Sequence, residues 1–130
     1  MRGGNDITLV AHSIGVGFAL AAAEELAKDG ISCEVINLRS IRPLDMDTVN
    51  SSVMKTHHCI TVEGGWPQHG VGAEVSASIA EGPAFHHLDA PVIRICGVDT
   101  PMPYAKACED AATPQPHNIV AAVKRVLGRK

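Results

Sequence analysis

The sequence predicts an α/β fold of three layers, helices on both faces of a parallel sheet, from three observations. Apolar strand-like runs alternate four times with stretches of helical spacing. The runs read as buried strands, as in a sheet covered on both faces. The 130 residues, 45% hydrophobic and 19% charged, suit a single globular domain with a workable core. Right-handed crossovers then leave few topologies, and the expected strand order is 2-1-3-4, with a switch point between strands one and three.

Each element has its own local reason. Asp6 to Ala11 reads as the first buried strand. A helix follows Gly15 and Gly17 and runs to Asp29, with Phe18, Ala22 and Leu26 on one face and Gly30 as its terminator. Cys33 to Leu38 is the second strand. Pro43 opens a loop, and Asp45 caps a short helix from about Met46 to Met54. His58 to Val62 is the third strand. Gly72 to Ala80 is Ala-rich and helical. Pro91 to Cys96 is the fourth strand. A short helix spans about Tyr104 to Asp110, after Pro101 and Pro103 break the chain. The last helix runs from about His117 to Leu127, with Ile119, Val120, Val123 and Leu127 at helical spacing. Strand one begins almost at residue 1, so a sheet edge is expected to be missing and residues 1–130 to be one domain of a longer protein.

Composition excludes several classes. A net charge of −3 without a basic cluster argues against a nucleic-acid partner. No apolar run approaches membrane-spanning length, and Met1 to Asn5 is too short and polar for a signal peptide. Cys33, Cys59, Cys96 and Cys108 are not closely paired, so they read as reduced structural thiols, not a zinc site. His57-His58 and His86-His87 lack chelating spacing and read as solvated or capping residues.

The segment from Val62 to Glu74 is the most informative. It holds the one Trp and, at Gly64, Gly65, Gly70 and Gly72, four of the twelve glycines. It carries no Lys or Arg, and Glu63 and Glu74 would repel a phosphate, so it reads as a packing and interface loop with Trp66 towards a partner. Two rival readings come from the first turn. Gly15-Val16-Gly17-Phe18-Ala19-Leu20 approaches a dinucleotide fingerprint but has Leu20 where a small residue belongs. Arg39 and Arg42 leave an NADP-binding module open. Ala11-His12-Ser13-Ile14-Gly15 approaches a nucleophile elbow. Asp99 and His117 follow in hydrolase order, and the alternative is that Ser13 caps the first helix.

Ile41-Arg42-Pro43-Leu44-Asp45, Val62 to Pro67, Gly70 to Glu74, Glu81 to Phe85, Leu88-Asp89-Ala90-Pro91 and Pro101 to Ala105 stand in the order seen in pyruvate dehydrogenase beta subunits. The chain resembles the C-terminal, transketolase-type domain of that family over nearly its whole length. The resemblance implies an α2β2 enzyme that uses thiamine diphosphate and magnesium to decarboxylate pyruvate and acetylate a lipoyl group. The cofactor lies between the alpha subunit and the beta subunit's N-terminal domain, so no catalytic, cofactor or metal residue is expected here. The resemblance gives this domain two roles. It assembles the tetramer with the alpha subunit and the second beta subunit. It also docks on the subunit-binding domain of the dihydrolipoyl acyltransferase, with Asp89 and the carboxylate at Lys130 as contacts. Gly128-Arg129-Lys130 departs from the family by placing two cations at that end. The family sheet has an antiparallel edge strand before strand one. The resemblance further implies the mitochondrial matrix for a eukaryotic source and the cytoplasm for a bacterial one.

Overall fold

The computed structural model describes residues 1–129; the Lys130 contact lies outside the described residues. Four strands form one sheet: β1 (Ile7–Ala11), β2 (Cys33–Asn37), β3 (Cys59–Val62) and β4 (Ile93–Ile95). Five helices cover it: α1 (Ile14–Lys28), α2 (Met46–Thr56), α3 (Val71–Glu81), α4 (Lys106–Ala112) and α5 (Pro116–Val126). The order is β2-β1-β3-β4 with all three pairings parallel, as the alternation of elements requires.

The period-2 alternation of a strand divides the core in two. Ile7, Leu9 and Ala11 of β1 face α1 and α5, and pack with Val16, Ala19, Ala22, Ala23 and Leu26 and with Ile119 and Val123. Val10 faces the other way, into Ile36, Val49, Val53, Val75 and Ile79 beneath α2 and α3. Thr8 shares that second face. Its hydroxyl lies 2.7 Å from Ser52 Oγ and 2.7 Å from Thr56 Oγ1. Thr56 Oγ1 donates to the His58 carbonyl at 3.1 Å. Thr8 must therefore donate to Thr56 and accept from Ser52, so a buried row of hydroxyls is satisfied by its own order.

Local chemistry sets the boundaries. Gly30 has φ 74 and ends α1 in a Schellman arrangement, with Ile31 N–H on Leu26 O at 3.0 Å and Gly30 N–H on Ala27 O at 3.1 Å. Asp45 caps α2 by accepting from Thr48 N–H at 3.1 Å. Those two bonds from Thr48, side chain and backbone, hold the Asp45 carboxyl below the usual carboxylate range.

The structure departs from the sequence reading at three places. Strand four is shorter, because β3 offers only Ile60 to Val62 for pairing and Pro91 has no N–H to give. The fourth helix starts at Lys106, leaving Tyr104 fully exposed. A 3-10 turn at Pro83–His87 had no signal in the helical spacing; it packs Ala84 into the second core half. At the outer side of β2, Arg2 pairs antiparallel with Val35 through bonds of 3.3 and 2.9 Å. That bridge lies where the family's antiparallel edge strand was expected. No helix among the described residues is long and apolar enough to cross a membrane.

Candidate functional site

The carboxyl end of the sheet is built around Glu63, the residue after β3. Glu63 is 4% exposed. Its carboxylate accepts from Val71 N–H at 3.0 Å and Gly72 N–H at 2.8 Å, the first amides of α3. A charged acceptor on a helix N-terminus gains from both the bonds and the dipole. The glycines of the loop have a steric task here. A Cβ on Gly70 would lie 2.6 Å from Glu63 Oε1, and one on Gly72 would lie 2.5 Å from Thr61 Oγ1. The phosphate cradle is therefore closed: the amides that would hold an anion are taken by the chain's own carboxylate. That arrangement does not fit a diphosphate group.

Three further groups surround Glu63. His12 Nε2 lies 4.0 Å from Glu63 Oε2 and has no hydrogen-bond partner, and neither has Thr61 Oγ1. Cys96 Sγ approaches Oε1 at 3.8 Å, and burial, then the Glu63 charge, raises that thiol above its ordinary range. Neither His12 nor the capping role of Glu63 was visible in the sequence. A capping acid eight residues before the helix it caps falls outside any short-range pattern.

The loop after Glu63 is tied across the sheet end. Trp66 Nε1 donates to Thr100 O at 3.3 Å, and Arg94 donates to Pro67 O at 2.6 Å. Trp66 is nevertheless 54% exposed. A groove of about 310 Å³ at the same end of the sheet is lined by Ile14, Phe18, Glu63, Gly64 and residues of α4.

The first turn supports neither rival reading. Gly15 allows α1 to approach β3, since a Cβ there would sit 3.0 Å from Val62 O, whereas Gly17 faces open space. Gly15 alone serves that packing. Ser13 stands at the N-cap with φ 51 and ψ −135 but makes no capping bond, contrary to the expectation that it caps α1. It is exposed, as are Asp99 and His117, and no hydrogen bond joins the three among the described residues.

At the opposite, amino end of the sheet stands Asp89. It is exposed and held through its backbone, its N–H donating to His57 O at 3.0 Å. A crevice of about 220 Å³ gathers Asp89 with Asp6, His57, His58 and Arg129. His57 is not on a strand; it ends α2 at φ 61, with His58 just before β3. The structure therefore places Asp89 and Trp66 at opposite ends of the sheet, on separate surfaces. The thiols are all free. Cys33 and Cys59 are buried, while Cys96 is partly buried and Cys108 exposed. Burial pushes the Cys33 thiol up to about 11 and Cys59 to about 12.

Known proteins resemble this chain in sequence and in fold. The family model for the transketolase C-terminal domain matches residues 1–119. The mitochondrial pyruvate dehydrogenase E1 component subunit beta of Bos taurus is 60% identical over 126 residues, 97% of this chain and 35% of that protein. Its Drosophila melanogaster counterpart is 62% identical over 130 residues, 100% of the chain and 36% of that protein. The chain thus spans about a third of the length of the relatives it matches. Among solved structures, a split-gene transketolase described as an inactive beta4 tetramer superposes with a TM-score of 0.83. It is 27% identical, covering 99% of this chain and 40% of that one.

Proposed function

The chain belongs to the transketolase C-terminal domain family, and from that premise we propose that it is the assembly and docking domain of a pyruvate dehydrogenase (acetyl-transferring) beta subunit. In that reading the whole enzyme, with an alpha subunit and a second beta subunit, decarboxylates pyruvate and acetylates the lipoyl group of the acyltransferase. The mitochondrial relatives support a place in the mitochondrial matrix. Thiamine diphosphate and magnesium belong to parts of the enzyme outside this chain. The filled amide nest at Glu63 supports that division, because the helix amides that could cradle an anion there are already used. Calorimetric titration of the chain with thiamine diphosphate and magnesium should give no heat of binding; micromolar binding at one site would defeat this part of the reading.

The observation that carries the docking role is the setting of Asp89. Its backbone is fixed by the His57 carbonyl and stiffened by Pro91 two residues on, while its side chain is exposed. A carboxylate held in place at a surface loses little entropy when it meets a cation. Its partner is a Lys or Arg of the acyltransferase's subunit-binding domain. Asp89→Asn in the assembled tetramer should slow association with that domain and reduce its salt dependence. If the pair is desolvated on binding, the loss reaches about 2–5 kcal/mol. A change below about 0.5 kcal/mol at low and at moderate salt returns Asp89 to an ordinary surface acid.

Trp66 supports the assembly role. It is a large aromatic presented by a loop of small residues and tied down by Thr100, Pro67 and Arg94, at the opposite end from the docking crevice. A rigid exposed aromatic suits a subunit contact. With Trp66 in that role, tetramer assembly and acyltransferase docking use separate surfaces and need not compete.

A further inference from the structure

Four of the seven histidines stand in two adjacent pairs, His57-His58, which lines the crevice with Asp89, and His86-His87, which is bonded to His57. The two rings in the crevice share one geometry. His57 Nδ1 lies 2.8 Å from the His87 carbonyl oxygen, and His58 Nδ1 lies 3.1 Å from the Thr56 carbonyl oxygen. A carbonyl can only accept, so in both rings Nδ1 carries the hydrogen. Nε2 is then the nitrogen free to take a proton. Protonation adds a charge to each ring without breaking either bond, so the crevice can change sign while the fold stays as it is.

The surrounding charges decide what that change does. The crevice holds Asp6, Asp89 and Arg129 besides the two rings. Asp6 also accepts from Ser32 N–H at 2.7 Å. The neighbouring cations are engaged elsewhere: Lys55, in the last turn of α2, pairs with Glu34, and Lys124 of α5 with Asp29. On the 3-10 turn, His87 stacks on His57 with ring centres 6.3 Å apart, and His86 sits edge-on to Phe85. α3, which packs on that turn, ends in Glu81. Among the described residues, two carboxylates against one guanidinium leave the crevice net negative when both imidazoles are neutral. Two protons make it net positive. Imidazole is the side chain that changes charge between about pH 8 and about pH 5.

We propose that the histidine-walled crevice makes docking at Asp89 sensitive to pH, and that protonation of His57 and His58 weakens the hold on a cationic partner side chain. The inference rests on the docking reading above and adds its regulation. Both histidines line the same crevice as Asp89, so their charge acts on the same approaching cation. Attraction at neutral pH gives way to repulsion in acid, and the change falls first on the association rate.

The test measures binding of the assembled tetramer to the isolated subunit-binding domain, at constant ionic strength, between about pH 8 and about pH 6. Affinity should fall about fivefold or more across that range, chiefly through slower association. The double variant His57→Asn, His58→Gln should flatten the profile while keeping the affinity near pH 8 within about twofold. Asn suits position 57 because it tolerates the φ of 61 and can still donate to the His87 carbonyl. A flat wild-type profile, or a slope that survives in the double variant, overturns the histidine inference alone. Asp89→Asn serves as the separate control. If it binds as tightly as wild type near pH 8, the docking reading itself fails.

Discussion

The two ends of the sheet each carry one conspicuous carboxylate, and they use it in opposite ways. At the carboxyl end Glu63 is buried, bonded to two helix amides and crowded by glycines that admit no side chain. At the amino end Asp89 is exposed and held only through its backbone, with no hydrogen bond to its carboxylate among the described residues. One acid holds the loop that presents Trp66. The other remains available to a partner. The contrast teaches that an acid's role follows from what already satisfies it. A carboxylate whose lone pairs are used inside the fold is structural, and one left in solvent is free to bind.

The sharpest way to break the comparison is Gly72→Ala. Its Cβ would meet Thr61 Oγ1 at 2.5 Å and Glu63 Oε1 at 2.7 Å, both on buried residues. Overpacking of this kind should cost about 2–4 kcal/mol in urea unfolding. Asp89→Asn in the same experiment should change stability by less than about 0.5 kcal/mol. Equal losses would mean that the two ends are not built differently.

Glu63→Gln comes next. It keeps the volume but loses the charge and turns an NH2 group towards amides that need an acceptor. A cost of about 1–3 kcal/mol is expected. The same change should lower the Cys96 thiol pKa, since the Glu63 charge helps hold it up, and so speed its alkylation. Faster alkylation without loss of stability would show that Glu63 acts on the thiol but not on the helix.

The buried thiols set an alkaline limit at the amino end, where Cys33 and Cys59 begin their strands. Their folded pKa values are raised, so their contribution is complete at neutral pH. It declines once the unfolded thiols ionise above about pH 8.5. The loss runs on to about 11 for Cys33 and about 12 for Cys59. Cys59→Ala should remove part of that alkaline slope in melting experiments. Under native conditions at neutral pH, the exposed Cys108 should react first with a thiol reagent, and Cys33 and Cys59 only on unfolding.

The smallest effect expected is spectroscopic. Trp66, 54% exposed and hydrogen-bonded to Thr100, should emit as a partly solvated indole in the isolated chain and shift to the blue on assembly with the missing subunits. Emission already blue in the isolated chain would take Trp66 out of the interface.

Fold and family were legible in the sequence for a local reason. Alternating apolar runs and helical spacing, Gly30 after a helix and Asp45 before one are each decided within a few residues, where propensity and capping act. Those signals together led to the parallel order β2-β1-β3-β4. The 3-10 turn was not legible, because its one buried anchor, Ala84, gains meaning only from the α2–α3 face it fills. Nor were the sites. Ser13 resembled a nucleophile or a cap, but its side chain is exposed and makes no capping bond. Glu63 was read as an acid that repels anions, and only tertiary contact puts it on the amides of α3. The crevice at Asp89 joins residues 6, 57, 58, 89 and 129, which no pattern along the chain brings together. Sequence alone determined the elements and their order, because hydrogen bonding and hydrophobic periodicity are local. The tertiary structure decided which acid is buried and which is free, because burial depends on what packs against a residue from distant parts of the chain.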